Sequence, residues 1–229
     1  MRSLLFALSL GSLPLSAGTL TFEEPTREIH AGTDAKTVTA DFKFKNESAD
    51  EVVIDHYDAA CTCINAGVQD GKMVYKPGES GVIRAAFDMS HFSGTADKSV
   101  MVWLKGDPEN KPSITLTARV VIPVLVEVEP KTLIWESGSP AEPKTVTITM
   151  KHSEPIRVTS VTGADQRFVQ VLKTVEEGKK YEITVTPANT SSVGMGVISI
   201  ETDCAVQRFR SQRIFTVLRH PLPKPAGKP

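Results

Sequence analysis

The sequence predicts an all-β protein of two tandem immunoglobulin-like antiparallel β-sandwiches, and three observations predict it. Apolar and polar residues alternate with a period of two along the apolar runs after Thr19, which on a pleated strand places every second side chain on one face. Clusters of turn-forming residues interrupt these runs at short intervals, and apolar residues at helical spacing are scarce. The runs also fall into two series of about a hundred residues each, the usual size of an immunoglobulin-like domain.

The first series occupies residues 19–126. VTADFKFKN sends Val38, Ala40, Phe42 and Phe44 to one face and Thr39, Asp41, Lys43 and Lys45 to the other. VIRAAFD repeats the pattern with Ile83, Ala85 and Phe87, SVMVWLK with Val100, Val102 and Leu104, and SITLTARVVIPV with Ile114, Leu116, Ala118 and Val120. NESAD (46–50), KPGE (76–79), SG (93–94) and GDP (106–108) are the turns between them. The joint is expected at residues 126–130, where an extended VEVEP ends on proline. The second series, residues 127–219, contributes Val146, Ile148 and Met150; Ile156 and Val158; Tyr181, Ile183 and Val185; Ile198 and Ile200; and Ile214, Thr216 and Leu218. Trp103 and Trp135 fall inside runs and read as core anchors. Residues 220–229, HPLPKPAGKP, read as an extended, disordered tail.

Compartment is read from the other end. MRSLLFALSLGSLPLSAG (1–18) has a basic residue, a short apolar run, a Gly/Pro break and small residues, the layout of a secretory signal peptide. Removing it takes away Arg2 and moves the formal charge from −1 to −2, so no basic face for nucleic acid is indicated. No later run is long enough for a membrane span. A periplasmic or secreted protein is expected. Its 3 cysteines are an odd number, so at least one is free, metal-bound or paired between molecules, and the pairing of Cys204 is open.

HYDAACTCINA (56–66) is the one stretch with candidate chemistry. On an extended strand Cys61 and Cys63 would share a face, roughly 6.6–7 Å apart, at the limit of the about 4.4–6.8 Å that a disulfide spans. Two such thiolates suit a soft ion such as Cu(I), with His56, Met73, Met89, His91 and Met101 as available partners. The competing reading, which leads, makes them small hydrophobes filling one end of a sandwich. Gly78-Glu79-Ser80-Gly81 lacks the spacing of a nucleophile elbow and sits at a Pro-Gly turn. HExxH, phosphate loops and EF-hand loops do not occur. No catalytic residue and no cofactor is expected.

FKFKNESADEVVIDHYDAACTCINA, then YKPGESGVIRAAFD, HFSGTADKSVMVWLKG and SITLTARVVIPV, resembles the bacterial family called domain of unknown function 1573. The resemblance covers about residues 20 to 125. It implies export and an immunoglobulin-like domain similar to those of the ASPM, SPD-2 and Hydin group and to major sperm protein, without an established activity. In the common family form the cysteines flank a glycine, whereas here Thr62 stands between them. The function expected is a non-enzymatic binding or assembly module of the cell envelope, whose partner is an envelope protein or surface component engaged through a strand edge or end loops. The alternative is a periplasmic copper- or thiol-handling protein using Cys61, Cys63 and His56.

Overall fold

The computed structural model describes residues 19–163 and 165–222; the expected signal peptide and residues 223–229 of the expected tail lie outside them. Among the described residues, strands are joined by turns and by two short 3-10 segments, Gln69–Gly71 and Gln207–Phe209. Alternation builds the strands. The run from Thr37 to Asn46 buries every second residue, with Ala40 at 0 % and Phe42 at 1 % exposure, while its alternate positions carry charge to solvent.

The first group of strands is β1 (Leu20–Phe22), β2 (Thr26–His30), β3 (Thr37–Asn46), β4 (Val52–Ala59), β5 (Ile64–Val68), β6 (Val74–Tyr75), β7 (Ser80–Asp88), β8 (Gly94–Leu104) and β9 (Ile114–Ile122). They form two sheets, ordered β1-β3-β7-β5 and β2-β9-β8-β4-β6. The second group is β10 (Val126–Glu129), β11 (Thr132–Glu136), β12 (Lys144–Met150), β13 (Val158–Gly163), β14 (Phe168–Glu176), β15 (Lys180–Pro187), β16 (Gly194–Thr202) and β17 (Ser211–Arg219). Their sheets are β10-β12-β15-β14 and β11-β17-β16-β13. By compactness the chain forms two units, one made of the segment ending at Arg27 with Thr39–Phe87 and Asp97–Arg119, the other of Glu28–Val38, Asp88–Ala96 and the chain from Val120. The two groupings therefore assign residues 28–38, 88–96 and 120–122 differently.

In each group the opening strand is interrupted by a proline and its two pieces join opposite sheets: β1 and β2 about Pro25, β10 and β11 about Pro130. Proline has no N–H to give a ladder, so it marks the point where the chain leaves one sheet for the other. Having crossed, β11 pairs with the final strand β17 in parallel, with Thr132 opposite Phe215 and Ile134 opposite Val217. The expected sandwiches are antiparallel, and this pair is an exception that the crossing imposes; β10–β12, β12–β15 and β16–β17 are antiparallel.

The sequence reading differs from the fold at two further places. It contains no strand at FVQVLKTVE, yet β14 is there. As the edge of its sheet β14 exposes Val169, Val171, Leu172 and Val175, so its residues show none of the in-out contrast that marks a half-buried strand. Asn46 reads as a turn residue, and it is fully buried. Its Nδ2 donates to the carbonyls of Asp50 and Tyr75, both at 2.8 Å, and its Oδ1 accepts from the Ser48 backbone and hydroxyl. A buried amide is tolerated there because every group it brings is paired. It ties the turn after β3 to β6.

Candidate functional site

The Cys61-Thr62-Cys63 segment lies where the chain changes sheets. β4 pairs with β8, with Ala59 opposite Val100 and Tyr57 opposite Val102, whereas β5 pairs with β7, with Ile64 opposite Phe87. Residues 60–63 must carry the chain across, so they cannot stay extended. They turn instead: the Ile64 N–H donates to the Cys61 carbonyl at 3.2 Å, and Ala60 N–H still reaches the Ser99 carbonyl at 3.2 Å. The turn shortens the Cα–Cα distance between the cysteines to 5.2 Å, and the two sulfurs form a disulfide. This corrects the extended geometry expected from the sequence, and the reason is the crossing, which no local pattern records. Both cysteines are partly buried, Thr62 is exposed, and Ile64 beyond them enters the core.

A disulfide over so short a loop contributes little. The chain-entropy relation for a three-residue ring gives about 1.5 kcal/mol, against roughly 3 kcal/mol for a 15-residue loop. One sulfur has a charged neighbour: Lys98, on β8, donates from Nζ to Cys63 Sγ at 3.3 Å. Lys98 lies 35 positions along the chain from Cys63, and only the pairing of β4 with β8 brings it to the turn.

His56 is held by other groups. Its Nδ1 lies 2.7 Å from Asp55 Oδ2, and its ring stacks on Trp103 with centroids 4.5 Å apart and planes 12° from parallel. A register shift between Ile54 and His56 places it opposite Trp103. Among the described residues no group of three or more His, Cys, Asp and Glu side chains is placed to hold a metal ion, so Cys61, Cys63 and His56 are not brought together as one ligand set. The copper reading also asks for two thiolates, and the paired sulfurs offer none until reduced. Of the other partners considered, Met89 is fully buried in the core, Met73 and Met101 are partly buried, and His91 is exposed. The third cysteine, Cys204, is a free thiol with 4 % exposure in the core of the second group. Trp103 and Trp135 are buried as expected.

A cavity of about 520 Å³ opens beside β1, β3 and β7, bordered by Lys43, Lys45, Glu47, Asp70 and Lys72. Gly81 forms part of its floor, and a Cβ there would lie 2.5 Å from Phe44 Cζ and 2.6 Å from Tyr75 Cε1. Burial raises the Tyr75 phenol above its ordinary range, and its hydroxyl donates to the Lys72 carbonyl at 2.8 Å. At the rim the Lys72 side chain, then the Lys76 backbone N–H, hold the Glu79 carboxyl below the usual range. The charges alternate in sign and select no anion or cation.

A different chemistry covers the outer face of the sheet β11-β17-β16-β13. Ile134, Val217 and Met195 stand opposite one another across three strands, and Phe215 and Val197 form the adjacent row. Met195 is 67 % exposed and Phe215 39 %.

Residues 20–120 match the family described as Protein of unknown function (DUF1573). No curated protein matches the chain. Among solved structures, a protein of unknown function from Porphyromonas gingivalis W83 is similar at 12 % identity and a TM-score of 0.34, over 88 % of this chain and 99 % of that one. The CupB2 chaperone of Pseudomonas aeruginosa is similar at 11 % identity and a TM-score of 0.31, over 86 % of this chain and 98 % of its own.

Proposed function

We propose, from the premise that residues 20–120 belong to that family of unknown function, that the chain is an exported, non-enzymatic binding or assembly module of the bacterial cell envelope. Export rests on the signal-like segment 1–18. Binding rests on one observation above the others: the apolar rows Ile134–Val217–Met195 and Phe215–Val197 face outward on a sheet whose inward residues, Ile198, Ile214 and Leu218, already fill a core. An outward row of this kind costs solubility, and proteins keep such patches for partners. Among the described residues no helix is long and apolar enough to cross a membrane, and the rows lie on a strand face.

The test is cross-linking from the face itself. A photoreactive amino acid at Met195, in the exported full-length chain in its own cells, should yield one discrete adduct in the envelope fraction. The same probe at Lys105, an exposed residue of the first group, should not. Equal, diffuse cross-linking from both positions would overturn the proposal, as would finding the chain with Met1 intact in the cytoplasm.

A further inference from the structure

The Cys61–Cys63 bond is poorly placed to act as a staple and well placed to react. Its sequence separation is 2, so it removes little freedom from the unfolded chain. The exposed Thr62 stands between two partly exposed cysteines, on a turn at one end of the sheets where a second chain can approach. The two sulfurs also differ in environment, since Lys98 Nζ lies 3.3 Å from Cys63 Sγ. In thiol–disulfide exchange the departing sulfur takes the electron pair of the broken bond, and it departs faster the better it is stabilised as a thiolate. A lysine ammonium beside a sulfur gives that stabilisation.

We propose that this turn is a thiol–disulfide exchange site for a protein or peptide dithiol, with Cys61 the sulfur attacked, Cys63 the sulfur that leaves and Lys98 the positioning residue that receives the charge. A deprotonated substrate thiol attacks Cys61 Sγ. The Cys61–Cys63 bond breaks, its electron pair goes to Cys63, and a mixed disulfide joins the substrate to Cys61. The second substrate thiolate then attacks the substrate sulfur of the mixed disulfide, and Cys61 departs with that electron pair. The substrate loses two electrons and two protons and becomes a disulfide; the cysteine pair gains both and becomes a dithiol. The exchange uses none of the residues of the apolar rows and stands whether or not those rows bind a partner.

The experiment uses the oxidised mature chain, with the buried Cys204, which resists a maleimide in a folded second group, and resistance of residues 39–119 to limited proteolysis as gauges that both groups are folded. Reduced glutathione is added, the reaction is quenched in acid and the adducts are mapped by mass spectrometry; a synthetic peptide with two cysteines follows as the dithiol probe. The expected result is a glutathione adduct on Cys61, and one peptide oxidised per chain. Lys98→Met should slow exchange about tenfold and Lys98→Arg should restore it to within about threefold, because the leaving sulfur needs the charge. A bond that survives excess glutathione while Cys204 stays protected would overturn the proposal, as would an adduct on Cys63 or a Lys98→Met variant as fast as the parent. Should Lys98→Met make residues 39–119 sensitive to the protease, the parent's rate in rising salt replaces it: screening should slow the exchange, and a salt-independent rate counts against the role of Lys98.

Discussion

The two groups of strands bury the same kinds of residue and differ in how much apolar surface they present outward. In the first, adjacent strands are laced on their solvent side by carboxylate–guanidinium pairs. Asp41 on β3 takes two hydrogen bonds from Arg84 on β7, at 2.6 and 2.7 Å, and Asp97 on β8 takes two from Arg119 on β9, at 2.8 and 2.9 Å. In the second, β11 and β17 share the Glu136–Arg219 ion pair, but the outward rows on β11, β17 and β16 hold Ile134, Val217, Met195, Val197 and Phe215, and the edge strand β14 adds Val169 and Val171. Among the described residues the first group exposes one large apolar side chain, Val74. The charged pairs suit a surface that stays in water, and the apolar rows suit one that is covered.

The largest test of this comparison concerns what the groups share. Gly81 and Gly196 each sit where a Cβ has no room: against Phe44 and Tyr75 in the first group, and 2.7 Å from Thr216 Oγ1 and 3.0 Å from Phe168 Cδ2 in the second. These neighbours are buried and cannot swing away. Gly81→Ala and Gly196→Ala should each lose about 1–3 kcal/mol by overpacking, read as a lower urea midpoint. A neutral result at either site would show that its core is loose.

An intermediate effect concerns the pH dependence that the cross-strand pairs of the first group contribute. The hydrogen bond from Arg84 holds the Asp41 carboxyl below its usual range, and that from Arg119 does the same for Asp97. A carboxylate whose folded value is depressed adds stability that is fully present above the unfolded value of about 3.9 and is lost as pH falls through the folded one. Acid should therefore weaken the parent below about pH 4, and the double variant Arg84→Ala/Arg119→Ala should show a shallower decline in urea midpoint over that window. A slope equal to the parent's would remove these pairs from the contrast.

The smallest effect on stability is expected where the effect on binding is greatest. Ile134→Lys with Phe215→Lys changes only outward positions and should leave the unfolding free energy from urea titration within about 0.5 kcal/mol per site. The adduct from position 195 should nonetheless disappear. A large loss of stability would mean that these side chains pack rather than dock.

Much of the fold was legible because burial on one face writes a period of two into the residues. β3, β7, β8, β9, β12, β15, β16 and β17 all coincide with alternating runs. β14 was not legible, since an edge exposed on both faces has no contrast to read. Of the candidate site, the sequence located the cysteine pair but assigned it the wrong backbone. Cys61 and Cys63 look extended beside an apolar run, and only the passage from the β4 sheet to the β5 sheet bends them to 5.2 Å and into a disulfide.

The sequence by itself determined that the chain is strand-built and that Phe42, Ile83, Val146 and Ile183 face inward, because alternation acts on the backbone locally. Tertiary structure alone decided that β11 runs parallel to β17, that the buried Asn46 reaches the Tyr75 carbonyl, that Met195 lines up with Val217 and Ile134, and that Lys98 meets Cys63. Each of these joins residues far apart in the chain through strand register, and register is set by how whole faces pack rather than by any neighbouring residue.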